Sequence, residues 1–424
     1  MEKSLAESNN PDLVGSKRFV TILILGLLSA IGPFSIDMYL PGFPSIAEDL
    51  NTTIDSVAYS VSSFFIGVCF GQLLCGPLLD RFGRKRPLYV GLIIYILASI
   101  GCALSTSIEA LIICRFFQAI GGCVGMVAPR AIVRDVFPLN ENARIFSFLI
   151  LILGVSPILA PTVGSYVIQF GWSYVFIILA LVTMLILTAV VFWLPESKQP
   201  DPTFSLQPRP ILNSFAGVLK NQQFLIYTLS GGIASAGLFA YVAGSPFVFM
   251  KLYGVNEKQY GMIFAAIAAG LISSSQLNNI MLKKFTSEQI MRIVLILQSI
   301  IGIVLVTGTV LDVLGLYGTI FTIFLFLSCQ GFSFPNSAAL SMAPFSKEAG
   351  SASAIMGALQ MGLGALSSAV VGLANAQSAI PLTIVMSGGA LIGLLILLIG
   401  TKRMLVKPKE LDVKEGCVDM IEKF

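Results

Sequence analysis

The sequence predicts an all-α membrane protein: twelve transmembrane helices in two six-helix bundles, with both termini on the cytoplasmic side. Three observations predict it. Of 424 residues, 56% are hydrophobic and only 11% are charged, a balance foreign to soluble globular chains. Apolar runs long enough to cross a bilayer as helices recur along the whole length, and a helix satisfies internally the backbone groups that lipid cannot. Between two of these runs lies the strongly basic turn Asp80-Arg81-Phe82-Gly83-Arg84-Lys85-Arg86. The positive-inside rule places that turn in the cytoplasm and so orients every other segment.

The spans, helices 1 to 12, fall at about 18–43, 56–79, 87–106, 108–132, 143–168, 172–194, 220–246, 258–282, 288–310, 316–340, 349–375 and 380–401. The polar start, followed by Lys17-Arg18 and a full-length apolar segment, predicts no cleavable signal peptide. Of 26 Lys and Arg, 23 fall on the cytoplasmic side or at cytoplasmic helix ends in this topology, Lys251 and Lys258 fall outside, and Arg115 alone lies inside a span away from its cytoplasmic end. Pro195, Pro200, Pro202, Pro208 and Pro210 mark a cytoplasmic linker over 195–219. It divides an N-terminal bundle (1–194) from a C-terminal bundle (220–401). A cytoplasmic tail (402–424) follows, whose Lys402, Arg403, Lys407 and Lys409 suit anionic headgroups. The halves echo each other, the basic turn having a weak partner at Lys283-Lys284. Internal repeats of this kind place a binding site between the halves.

Histidine is absent, so proton chemistry inside the membrane must use carboxylates. Asp37 is the only charge between Arg18 and Glu48. A carboxylate at that depth is costly and marks a functional position; the plainer reading is a cap on the helix end before Pro41. Arg115 lies six residues into helix 4 and Asp37 six residues from the end of helix 1, each roughly 9 Å deep at 1.5 Å per residue. Matched depth makes coupling of the two the expectation; outward snorkelling of Arg115 is the alternative. Helix 5 carries Gly154, Pro157, Pro161 and Gly164 on one small, kinked face fit for close packing. Trp172 and Tyr174 are expected as interfacial anchors. The second half has no carboxylate inside a span away from its ends. Tyr39, Tyr59, Gln118, Tyr241, Phe264, Asn336 and Gln360 are candidate cavity residues, with ordinary helix packing as the competing reading for each. The seven cysteines include no C-x-x-C pair, which favours neither a disulfide framework nor a metal site. Neither a G-x-S-x-G elbow nor a P-loop is present, which argues against a membrane enzyme.

Several stretches carry a family resemblance. Gly76, Leu78, Asp80, Arg81, Gly83, Arg84 and Lys85 match the G-x-L-x-D-R-x-G-R-K signature between helices 2 and 3 of the major facilitator superfamily. Arg115, Gln118 and Gly121 resemble its R-x-x-Q-x-x-G motif in helix 4. The D-M-Y-L-P stretch from Asp37, and Ala128 to Asp135, are most similar to the bicyclomycin-resistance subfamily of drug:proton antiporters. The helix 5 face resembles the antiporter motif G-x-x-x-G-P-x-x-G-G, with Ala160 and Ser165 standing where the motif has glycine. The resemblance implies the major facilitator fold in a bacterial inner membrane. It implies proton-coupled export of small organic molecules by alternating access, with no cofactor, no metal and no nucleic acid, and with a monomer as the working unit. Asp37 and Arg115 would then couple proton to substrate, and Asp80 would hold the cytoplasmic face of the two halves together through charge-assisted bonds. A metabolite exporter or an uptake symporter of the same fold is the alternative, and a passive channel stands further off.

Overall fold

The computed structural model describes residues 16–137, 139–201, 207–345, 348–374 and 378–406. Among the described residues there are twelve helices long and apolar enough to span a membrane. Helices 2 to 6 are Ile54–Phe82, Lys85–Ala103, Ile108–Val136, Leu139–Val167 and Ser173–Phe192. Helix 7 covers Gln222–Leu252, and helices 8 to 12 are Glu257–Met281, Ser287–Val310, Gly315–Met342, Ala349–Leu373 and Ile380–Val406. Side-chain caps fix several starts. Thr53 accepts from Ser56 N–H, Ser107 from Ala110 N–H, and Asn256 and Thr286 each form a reciprocal capping box.

Helix 1 departs from the continuous span expected over 18–43. Its α-helical part, Ser16–Asp37, stops at the acid; a 3₁₀ turn, Leu40–Gly42, and a short helix, Phe43–Asp49, follow. The reason is local. Pro41 has no N–H to give to the carbonyl of residue 37, and its ring would collide with that carbonyl. Asp37 therefore occupies a helix C-terminus inside the protein. Helix 7 is also broken, at Ser235, and winds into a π-helical turn over Phe247–Leu252.

The first six helices meet the last six along two seams. On one, helix 2 runs along helix 11: Ser62 donates to Ser368 at 2.7 Å, Tyr59 packs at Gly372, and Gln72 lies against Gly357. On the other, helix 5 runs along helix 8, Gly154 facing Ile272 and Gly261 facing the Pro161 carbonyl. Nearer the end that carries the basic turn, Gly76 and Gly350 have no neighbour where a Cβ would stand. The linker contains a helix of its own, Pro208–Lys220, begun by prolines that suit a first turn. Its Phe215 and Val218 pack with Phe224, Ala352 and Ile355, and Ser214 donates to Ser351 at 2.9 Å. Trp172, expected as an interfacial anchor, is buried and its Nε1–H donates to Asp49 at 2.7 Å. Tyr174 is exposed. The basic tail beyond Val406 lies outside the described residues.

Candidate functional site

Asp37 is 5% exposed and sits where helix 1 breaks. Among the described residues no hydrogen bond or ion pair to its carboxylate is found. A carboxylate at a helix C-terminus also faces the negative end of the peptide dipoles. The turn that follows it, Leu40–Gly42, packs against helices 7 and 8 of the other half, which carry Tyr241 and Tyr260. These tyrosines form an aromatic cluster with Phe264, whose ring stacks on Tyr241 at 5.4 Å between centroids and lies 6.1 Å from Tyr260. Tyr260 Oη pairs with Ser245 Oγ at 2.9 Å, whereas Tyr241 Oη is buried with no hydrogen-bond partner. Helix 5 closes the back of the turn. A Cβ on Gly164 would coincide with the Met38 carbonyl oxygen, so only glycine lets the two backbones approach this closely.

Arg115 is not the direct partner that matched depth predicts. No ion pair joins it to Asp37. Its guanidinium is wholly buried and lies over aromatic faces, 4.4 Å from the Tyr39 ring, 4.3 Å from Phe64 and 5.7 Å from Phe176. Ring quadrupoles thus offset the desolvation of the charge. One guanidinium N–H donates to Gln118 Oε1, and Gln118 Nε2 donates to Ser99 Oγ at 2.8 Å; Arg115 Nε and Nη2 have no partner. Tyr39, which pairs with Ser60 at 3.0 Å, connects the two charges: it follows Asp37 by two residues and covers Arg115.

The remaining cavity candidates divide. Tyr241 and Phe264 join Asp37 between the halves. Tyr39 and Gln118 are spent inside the first half, around Arg115. Tyr59 lies in the helix 2–11 seam, at the end remote from the basic turn. Asn336 is turned into the second half, where it donates to Asn278 at 2.7 Å. Gln360 is buried beside Gly232 of helix 7. Tyr260 and Ser245 were not legible beforehand; a tyrosine and a serine in apolar helices carry no signal until the helices are placed. In helix 5, Pro161 and Gly164 reach helix 8 and the helix 1 turn, Gly154 lies against helix 8, and Pro157 contributes only the missing N–H of a kinked helix.

The signature turn is held by side chains. Gly83 has φ of +79°, and a Cβ there would stand 2.8 Å from the Lys198 carbonyl oxygen, so both backbone and space require glycine. Arg84 Nε donates to Asp135 at 2.7 Å and its Nη1 to Asp80 at 3.2 Å. Burial opposes the Arg84 charge, but the bonds to Asp135 and Asp80 outweigh it and hold its pKa above the ordinary arginine value. Lys198 pairs with Asp80 at 2.8 Å. The Glu196 carboxylate accepts the N–H groups of Arg84 and Lys85 at 2.8 and 3.1 Å, capping helix 3. Arg81 donates to the Asp201 carbonyl at 3.2 Å, and Lys85 Nζ to the Val191 carbonyl at 3.2 Å. The ion pairs of Asp80 therefore run to its own turn and the start of the linker, not to the second half. Gly76 has no packing reason here.

These contacts rank the two acids. Both acids pair with Arg84, which is 6% exposed, but Asp135 is 22% exposed against 38% for Asp80, whose second partner Lys198 is 40% exposed. Loss of a charge-assisted bond costs about 1.5–3 kcal/mol when desolvated, whereas exposed pairs contribute about 0–1 kcal/mol. Asp135→Asn is expected to lower the melting temperature of the purified protein more than Asp80→Asn. The reverse order in a thermal-shift assay would show that burial does not set the strength of this cluster.

The Major Facilitator Superfamily profile matches residues 25–369. An uncharacterized MFS-type transporter of Bacillus subtilis, YdgK, is 33% identical over 91% of this chain and 96% of its own length. A bicyclomycin resistance protein homolog of Haemophilus influenzae is 30% identical over 89% and 95%. The multidrug resistance protein MdtL of Escherichia coli is 30% identical over 78% and 82%. Among solved structures, a D-xylose-proton symporter superposes with a TM-score of 0.73 at 16% identity, covering 91% of this chain and 97% of that one.

Proposed function

Since the chain belongs to the Major Facilitator Superfamily and is a multi-pass transporter of the bacterial inner membrane, we propose that it exports small organic molecules in exchange for protons. The end carrying the basic turn faces the cytoplasm in this reading, and both termini lie there. One observation carries the proposal: a buried carboxylate, Asp37, with no hydrogen-bond or ion-pair partner among the described residues, at a helix break whose turn packs against the helices that carry the Tyr241–Tyr260–Phe264 cluster. Such a group can hold a proton in one step and release it when a substrate takes its place. Competition for one carboxylate is sufficient to couple two opposite fluxes. The aromatic rings supply a flat apolar surface for the substrate body. Relatives named for resistance to bicyclomycin and to chloramphenicol support small organic compounds as the cargo. The symporter among the structural neighbours supports the fold alone.

The test is transport in sealed inverted vesicles that report internal pH by a dye. A panel of antibiotics and amphiphilic amines is added after a proton gradient has formed. A substrate is expected to discharge part of the gradient and to accumulate against its own. Accumulation without proton movement would remove the exchange mechanism, and flux that only follows the substrate gradient would make the protein a passive path.

A further inference from the structure

Lys251 and Lys258 stand alone in the charge pattern. Of 26 basic residues they are the two at helix ends remote from the basic turn, where the positive-inside rule gives no reason for them. The structure supplies one. Lys258, at the start of helix 8, places its Nζ 5.7 Å from the centre of the Tyr166 ring in helix 5. Lys251, at the end of helix 7, rests over its own Phe247 ring at 5.2 Å, and that ring lines one crevice together with Asp55, in the first turn of helix 2; the lysine charge favours the ionised form of Asp55 across that crevice. Each lysine belongs to the second half and stands at its edge with the first. Each stands at a different seam, helix 5–8 or helix 2–7–11. Beneath the Lys251 seam lies a crevice between the halves, lined by Asp55 and Ala58 on one side and Gly244, Phe247 and Val371 on the other.

We propose that Lys251 and Lys258 are the two clasps of the outer gate, one on each seam, closing it against Asp55 and against the Tyr166 ring. The Lys258–Tyr166 contact and the attraction of Lys251 for Asp55 both span the halves and must weaken when the site opens outward. Surface charge pairs and exposed cation–π contacts are individually weak. Weakness suits a gate that has to open in every cycle, because a small bias is enough to shift two nearly balanced states. The outward direction rests on the orientation proposed above; the pairing does not.

The experiment uses the full chain in proteoliposomes, with its seven cysteines replaced and a reporter introduced as Ala58→Cys in the crevice. Ala58 is 3% exposed in this closed form, so a membrane-impermeant maleimide should react only when the seam parts. Lys251→Gln is expected to raise the labelling rate about two- to fivefold, the size of an exposed charge pair. Higher external salt should raise the rate in the parent and leave the variant unchanged. The exchange Asp55→Lys with Lys251→Asp should restore slow labelling. Lys258→Gln and Tyr166→Leu should each raise the rate, and together no further than the larger single effect. Size-exclusion profiles screen out misfolded variants. Unchanged labelling in Lys251→Gln, or a failed exchange in a well-folded protein, overturns the Lys251 clasp. Additive effects at Lys258 and Tyr166 overturn the other. Reaction only with reagent on the opposite face would reverse the orientation while leaving the pairing tested.

Discussion

Asp37→Asn is expected to reduce uphill export to the level of empty vesicles while the protein stays folded and still exchanges neutral substrate across the membrane. Asparagine keeps the size and shape of the side chain but cannot exchange a proton at neutral pH. Nothing in the protein is left without its partner by the change, since no hydrogen bond or ion pair to the Asp37 carboxylate exists among the described residues. Stability should therefore hold, because asparagine matches the acid in size and no bond is broken by the change. Transport should fall nonetheless, because among the described residues no second carboxylate is buried and the chain has no histidine. Two measurements separate the outcomes: accumulation against a gradient, and equilibrium exchange with labelled substrate on both sides. Loss of the first with survival of the second assigns Asp37 to proton coupling. Uphill export with normal proton movement in the variant would move the coupling site to acids near the helix ends, Asp80, Glu109 or Asp135.

Much of the fold was legible because bilayer thickness imposes one length on every span. Twenty apolar residues bounded by charges read as a helix whatever they pack against. Asp37 was legible for the same reason, a lone charge in an apolar run. Its relation to Arg115 was not. Counting residues from a helix end gives depth along the membrane normal, but not the direction in which a side chain points. The break at Pro41 sets the turn after Asp37 against helices 7 and 8, while Tyr39 covers Arg115 of helix 4. Arg115 then meets Phe64 and Phe176, rings from two other helices whose rotation no single-sequence period determines. Gln118 could have been assigned to Arg115 from its spacing of three along one helix. Glu196 and Lys198 could not: their role appears only when the linker folds back over Gly83.

Gly164→Ala is expected to cost most of the transport activity, and Gly154→Ala to cost little, although both glycines lie on the same helix 5 face. At Gly164 the added methyl would coincide with the Met38 carbonyl oxygen, the first residue beyond Asp37, so backbone has to move. At Gly154 the nearest atoms are side-chain carbons of Ile272, the closest at 3.5 Å, an ordinary contact. Overpacking that forces backbone apart costs about 1–3 kcal/mol, which shifts a conformational equilibrium about five- to more than a hundredfold. The variant should therefore favour whatever state separates helix 5 from the helix 1 turn, and should dwell there instead of cycling. A binding measurement with retained affinity, beside a turnover reduced at least about tenfold, would show the effect to be on cycling and not on folding. Equal damage from both substitutions would mean that the whole face is intolerant of volume. Wild-type turnover in Gly164→Ala would mean that the turn at Asp37 yields freely, and the close approach of helix 5 would lose its part in positioning the carboxylate.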